Sequence, residues 1–313
     1  MPSFSDIVAA RDLITPRLRQ TPVLRLDHCR GADLSNPVHL KLECLQVSGS
    51  FKIRGATHRA MTLPEGAAPG GLVAASGGNH GLATAYVARE AGLPATIFLP
   101  ETASPIKAEK LRRLGAEVVQ TGRFWDEAHA AATAHAEQIG AFYVHPFADP
   151  VIVAGQGTVA LEMAEQIPDA DNYIVAIGGG GLIAGMSTVL RELKPDARII
   201  GVEPVGSPTL RSSLDAGHVV RLPEVTTRVA TMACGRTHED IYATVRDLVD
   251  DVVLIEDDAM QTAAELLWFE FGLAADLSAA ASLAALMTGA VTLPPKAVVA
   301  GLVCGAGTDG MGA

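Results

Sequence analysis

The 313-residue chain has a net charge of −11 and no basic run that would neutralise phosphates, which excludes nucleic acid and anionic membrane as principal partners. With 49% hydrophobic residues and 31 glycines, it has enough apolar content for one large α/β unit or two interleaved lobes binding a small molecule. Cys29, Cys44, Cys234 and Cys304 form neither a C-x-x-C pair nor a zinc spacing, and the first six residues lack a basic and an apolar leader region, so a reduced, cytoplasmic protein is expected.

A helix is predicted over 5–19, with Ile7, Ala10, Ile14 and Leu18 on one face and Thr21-Pro22 as its stop. A strand over 38–43 leads into a helix that starts at a lysine segment. The apolar run 72–76 then breaks at Gly77-Gly78 and re-enters a helix at Asn79. The alternation continues with strand 95–99, helix 104–114, strand 117–120, helix 125–139 and strand 141–144. Helix 154–166, strand 173–177, helix 182–193 and strand 198–202 follow, then helices over 208–216, 240–248, 258–271 and 278–286 and a last strand over 297–303. Short apolar strands alternating with amphipathic helices predict an α/β fold of two interleaved lobes, each a mostly parallel open sheet flanked by helices. The large lobe is expected over 1–70 and 149–313 and a small, mobile one over 71–148. The uncharged stretches 172–190 and 277–295 are glycine-interrupted or Ala-rich and read as buried elements rather than membrane spans.

Two segments carry chemistry. Lys52, in Ser48-Gly49-Ser50-Phe51-Lys52-Ile53-Arg54-Gly55-Ala56, stands just inside a predicted helix start. There the partial positive charge of the helix end and the nearby Arg54 are expected to disfavour the ammonium form and leave an amine able to attack a carbonyl. A solvated surface lysine is the competing reading. Gly178-Gly179-Gly180-Gly181-Leu182 follows a strand and opens a helix, offering bare backbone N–H groups to an anion, against a simple tight turn. Its spacing matches neither the dinucleotide nor the P-loop fingerprint, so one phosphate group is implied. A reactive lysine, a single-phosphate cup and no metal constellation together indicate pyridoxal 5′-phosphate.

The chain resembles the fold-type II (tryptophan synthase β-like) family of pyridoxal-phosphate enzymes, in its serine/threonine dehydratase and serine racemase branch. The likeness is carried in order by Thr21-Pro22-Val23-Leu24, Lys41-Leu42-Glu43, the Lys52 segment, Ser76-Gly77-Gly78-Asn79-His80-Gly81, Ala154-Gly155-Gln156-Gly157-Thr158, the glycine loop, Gly201-Val202-Glu203-Pro204 and Cys304-Gly305-Ala306-Gly307. The resemblance implies that Lys52 forms a Schiff base with the cofactor, that Phe51 packs on its ring and that Asn79 reaches the ring hydroxyl. It also implies that Gly178, Gly179, Gly180, Gly181 and Leu182 hold the phosphate, that Cys304 faces the ring nitrogen, and that Ser76, Gly77, Gly78, Asn79 and His80 take the substrate carboxylate. For Asn79, His80 and Cys304 the ordinary alternatives are a helix cap, a satisfied core histidine and a small buried hydrophobe.

The implied reaction is β-elimination of a β-hydroxy amino acid such as L-threonine or L-serine to a 2-oxo acid and ammonia, by a cytoplasmic homodimer. Departures leave the substrate open. Asp276-Leu277-Ser278-Ala279 stands where relatives often read Glu-Pro-Thr/Ala-Gly, and Arg228-Val229-Ala230-Thr231 where an Ala-Asp-Gly motif is expected, so phenylserine or 3-hydroxyaspartate are alternatives. A β-replacement synthase and a cofactor-binding protein without catalysis are the other readings. No metal is expected: racemase-like relatives begin a cation site at the Glu of Glu-Pro and end it at an Asp six residues on, and here Glu203 is followed at that place by Thr209. Gly77 replaces the serine that racemising relatives use as second acid/base. With only four residues beyond Asp309, no C-terminal regulatory domain and no feedback inhibition are expected.

Overall fold

The computed structural model describes every residue except 28, 33, 102, 104, 123, 124, 312 and 313, and in it the apolar runs assemble into two sheets. The larger has the order β1 (Val23–Arg25), β2 (Val38–Lys41), β10 (Val299–Leu302), β7 (Asn172–Ala176), β8 (Arg198–Pro204), β9 (Asp251–Ile255). β1 pairs antiparallel with β2, and the other pairs are parallel. The smaller sheet, β5 (Glu117–Gln120), β4 (Ala95–Leu99), β3 (Leu72–Ala75), β6 (Phe142–Tyr143), is parallel throughout. Parallel neighbours need crossover connections, supplied here by α3 (Asn79–Glu90), α4 (Pro105–Arg113), α5 (Trp125–Ile139) and α7 (Gly181–Leu193). Alternation along β3 sorts its side chains: Leu72 and Ala74 enter one core with Ile97 and Leu99, while Val73 and Ala75 meet Phe98 and the alanines of α5 on the other face.

The structure departs from the sequence reading at four places. α1 (Phe4–Ile14) stops well before Arg19, because Pro16 has no N–H to continue the ladder and the chain tightens into a 3-10 turn over Thr15–Arg17. α6 (Pro150–Gln166) starts four residues earlier than predicted: the Asp149 carboxylate accepts the Val151 N–H at 2.8 Å, and Pro150 suits the first helical position. β1 and β9 were not foreseen. β1 has three residues, and β9 is an edge strand whose alternating burial is masked by the acids around it. The predicted start of α4 at Ser104 lies outside the described residues.

α2 (Lys52–Met61) is seated by backbone contact and by charge. A Cβ on Gly155 of α6 would lie 2.6 Å from the Gly55 Cα, so both glycines are required for the two helices to touch. Beside this contact the fully buried Arg54 donates through Nε and Nη2 to the two carboxylate oxygens of Glu43, each at 2.7 Å, and through Nη1 to Glu162 at 2.7 Å and the Thr158 hydroxyl at 3.1 Å. Lys41 Nζ donates to Glu162 at 2.5 Å, to Gln166 Oε1 at 2.7 Å and to the Thr21 carbonyl at 2.7 Å, so two cations face two carboxylates, with three acceptors for Lys41 and four for Arg54. Burial pushes the Glu43 carboxyl up, but the charge and hydrogen bonds of Arg54, the Thr21 hydroxyl and the Lys41 charge together outweigh this and hold it below the ordinary value. Replacing Arg54 by Met should leave the buried Glu43 without its guanidinium and Glu162 with Lys41 alone, and cost about 3–5 kcal/mol, read as a lowered urea midpoint. A loss under about 1 kcal/mol, the scale of an exposed pair, would show that the fold does not depend on this network.

Candidate cofactor and active site

Ser48 and Gly49, at φ 62° and 82°, turn the chain sharply, and the next residues lace onto the end of β10. Phe51 N–H donates to the Cys304 carbonyl at 3.0 Å, Ala306 N–H to the Gly49 carbonyl at 2.8 Å, and Ser50 bridges Gly305. Lys52 therefore opens α2 directly beside the Cys304 segment. Its Nζ donates to the Pro146 carbonyl at 2.8 Å and lies 5.1 Å from the centre of the Phe51 ring. Burial pulls the amine from 10.5 down to about 8. The expected contribution of Arg54 is a correction: its guanidinium is paired with Glu43 and Glu162, and residues two apart on a helix do not face each other.

Gly178 to Leu182 form the turn between β7 and α7, whose first N–H groups have no acceptor within the helix. Gly180 takes φ 92°. The glycines also meet close neighbours: a Cβ on Gly179 would enter the Phe147 ring, one on Gly181 would lie 2.7 Å from the Phe147 carbonyl oxygen, and one on Gly178 would lie 2.9 Å from the Thr231 carbonyl oxygen. Thr237 donates to the Gly179 carbonyl at 3.0 Å. Packing thus requires these glycines on one side while the N–H groups of the helix start remain for an anion on another.

The loop 76–80 joins β3 to α3. Ser76 Oγ accepts the Gly78 N–H at 3.3 Å, tightening the turn, and Gly77 leaves it without a side chain. A Cβ on Gly78 would sit 3.6 Å from Thr231 Cγ2, so Thr231 touches both this loop and the glycine loop. His80 Nε2 donates to the Val144 carbonyl at 2.8 Å, and its buried Nδ1 has no partner. Burial, then the charge of Lys52, pushes the His80 imidazole down to about 3, so it stays neutral. Asn79 donates one N–H of its amide to Asp276 Oδ2 at 2.8 Å, leaving its second N–H for another acceptor. Asp276 caps α11 (Leu277–Met287) through the Ala279 N–H at 2.8 Å and accepts the Ser278 hydroxyl at 2.6 Å. Cys304 Sγ lies 3.4 Å from Ser278 Oγ, and its thiol is pushed up by burial and then by the Asp276 charge.

Lys52, Phe51, Cys304, Asn79 and both loops therefore converge on one cleft. Sequence reading missed Pro146 and Phe147, which follow a two-residue strand and carry no periodic signal, and took Asp276, Ser278 and Thr231 only as departures from a pattern. Glu203, on β8, stands apart: its carboxylate accepts the Leu210 and Arg211 N–H groups, at 2.8 and 2.9 Å, in the first turn of α8 (Thr209–Ala216). Thr209 Oγ1 turns instead to the Cys234 carbonyl.

A depressed lysine amine, an aromatic ring beside it and an anion-ready helix start, in a chain of two mostly parallel sheets, define a pyridoxal-phosphate scaffold of fold type II. The chain belongs to the pyridoxal-phosphate dependent enzyme family, whose model matches residues 14–305. It is 41% identical over 289 residues to an L-threonine ammonia-lyase of Geobacter sulfurreducens, covering 92% of this chain and 72% of that protein. Against a serine racemase of Oryza sativa the identity is 34%, over 90% of this chain and 83% of the relative. The crystal structure of a T.th. threonine deaminase superposes with a TM-score of 0.89 at 33% identity, covering 97% of this chain and 98% of that one.

The residues present fit the cofactor: the part-neutral Lys52 amine and the bare N–H groups of α7 are the nucleophile and the donors that its aldehyde and phosphate require. Only the free amine attacks an aldehyde, so cofactor-free protein should take up pyridoxal phosphate faster as pH rises. Followed by visible absorbance, the midpoint should fall near 8, and Lys52→Ala should give no such signal. A midpoint at the ordinary lysine value of 10.5 would contradict the burial argument.

Proposed function

We propose that the chain is a pyridoxal-phosphate ammonia-lyase that converts a β-hydroxy amino acid, L-threonine or L-serine, to a 2-oxo acid and ammonia. The observation that carries this is the half-buried Lys52 amine, brought to about 8 and held beside Phe51, within a chain so similar to an L-threonine ammonia-lyase. When bound, the cofactor supplies an electron sink for the charge that develops at the substrate Cα. Lys52 would be the attachment point and, as a free amine, would be the base placed to take the substrate Cα proton. The N-terminus of α3, with Ser76 to His80, holds the substrate carboxylate through backbone N–H groups and the Asn79 side chain. Phe51 would restrain the ring, Gly178 to Leu182 would hold its phosphate, and Cys304 would face its nitrogen with a thiol that could not fix a proton there as a carboxylate would.

The same proposal includes a reduced cytoplasmic setting and a homodimer. The four cysteines form no disulfide, and no helix among the described residues is long and apolar enough to cross a membrane. The exposed Phe269 and Trp268 at the end of α10 (Asp257–Phe271) offer an apolar face for a second copy.

Ammonia and 2-oxo acid release should be measured from serine, threonine, phenylserine and 3-hydroxyaspartate, with threonine or serine turned over fastest. No release from any of the four, by protein that has bound the cofactor, would leave a binding protein or a β-replacement synthase. Elimination should run without appreciable racemisation, because Gly77 offers no proton donor on the face opposite Lys52. In chiral chromatography of the same reactions the D-isomer should lag far behind ammonia. Gly77→Ser should raise it by about tenfold or more, up to the ~10²–10⁴-fold that a well-placed acid supplies. D-isomer forming as fast as ammonia in the unaltered protein would overturn this assignment.

A further inference from the structure

Asp276 is a buried carboxyl whose hydrogen bonds can be read one proton at a time. Oδ2 receives the Asn79 amide N–H, and Oδ1 receives the Ala279 backbone N–H and meets the Ser278 hydroxyl at 2.6 Å. Asn79 and Ala279 bring N–H groups that can only donate, so they hold their direction whatever the protonation of the acid. Ser278 is different, because a hydroxyl both donates and accepts. With Asp276 ionised, Ser278 must give its hydrogen to Oδ1, which turns its lone pairs toward Cys304 Sγ at 3.4 Å and makes it an acceptor for the thiol hydrogen. With one proton on Oδ1, the acid donates to Ser278, Ser278 donates to the sulfur, and the thiol hydrogen is released to point elsewhere. One proton is taken up at Oδ1, and no bond between heavy atoms forms or breaks.

We propose that Asp276, Ser278 and Cys304 form a reversible hydrogen-bond relay whose direction decides whether Cys304 offers its S–H or its sulfur lone pairs to the ring nitrogen of the cofactor. The relay rests on the reading of the site given above. Asp276 is a positioning residue in it, acting on the ring through Cys304 on one side and Asn79 on the other. Asn79 opens α3 and Asp276 caps α11, so the same carboxyl ties the loop beside the smaller sheet to the wall behind the cleft.

Burial and a neighbouring like charge favour a proton on the acid. Burial raises the Asp276 carboxyl, and Asp309, which accepts the Leu277 N–H at 3.1 Å, adds a like charge. Cys304 and Cys44, both buried, feel the Asp276 charge and are raised themselves, so neither competes as an anion. Lys52 is the cation on the Cys304 side, and the donors from Ser278, Asn79 and Ala279 pull the acid the other way.

The test loads the protein with pyridoxal phosphate labelled with ¹⁵N in the ring and follows the nitrogen shift by NMR as pH is varied. In the unaltered protein the shift should move through one step. Ser278→Ala, which cuts the relay but keeps the Ala279 and Asn79 bonds to Asp276, should abolish the step while the cofactor stays bound. Asp276→Asn should abolish it too, and Asp309→Asn should keep it but move it to lower pH. A flat shift in the unaltered holoprotein, or a step unchanged in Ser278→Ala, would overturn the relay while leaving the cofactor assignment in place. Failure of the unaltered protein to bind the cofactor would instead sink the reading of the site, and the relay with it.

Discussion

The buried fork of Arg54 between Glu43 and Glu162 is the constraint on which the site depends. Glu43 lies just past β2 and Glu162 on α6, so a single guanidinium fixes the start of α2 against both. A two-toothed contact to a carboxylate fixes direction as well as distance, which a lysine in the same place would not do. Since residues two apart on a helix point away from each other, an Arg54 locked inward turns Lys52 toward the cleft. The cluster contains two cations and two carboxylates, so it holds the helix without sending a net charge toward the lysine. That is why burial alone accounts for the lowered Lys52 amine.

Glycine does the complementary work of removing distance. Gly55 against Gly155, and Gly157 against the Gly185 carbonyl, where a Cβ would stand 2.8 Å away, bring α2, α6 and α7 into backbone contact. The glycine loop opens α7, so its position is set through the same stack that seats Lys52. An anchor for an aldehyde carbon and a cup for a phosphate must keep a fixed separation, because the ring between them is rigid. A stack of helices touching backbone to backbone, where no rotamer can relax, is the stiffest way to keep it.

Most of the fold was legible, because strands such as 95–99 and 117–120 are short apolar runs bounded by turn residues and helix 125–139 keeps a clear period. The two missed strands sit at the edges of the larger sheet, where one flank has no neighbour to bury it and the hydrophobic pattern weakens. Helix ends failed where a proline acts in opposite senses: Pro16 breaks α1, while Pro150 opens α6. In the site, Lys52 and the glycine loop could be found because each has a local cause that a short stretch of sequence displays. Phe147, Thr231 and Asp276 could not, because each is brought to the cleft from a distant part of the chain. The error over Arg54 has the same origin, for proximity in sequence does not tell where a charge is directed.

The cleft also keeps its groups uncharged. Burial brings His80 to about 3 and His145 to about 4, raises the Cys304 thiol and leaves Lys52 poised near 8, so at neutral pH three of these four stay neutral and the fourth is partly so. On the site proposed above, a cofactor phosphate and a substrate carboxylate would meet backbone N–H groups and side-chain donors, with Lys52 as the nearby cation. Their charges then dominate the local field, which favours binding by preorganised dipoles that need no rearrangement as charge moves. Asp276 is the exception, a buried acid whose hydrogen-bond partners Asn79, Ser278 and Ala279 are all uncharged. An acid kept in that condition costs stability, and the group at the far end of its hydrogen bonds is Cys304, the one expected to meet the ring.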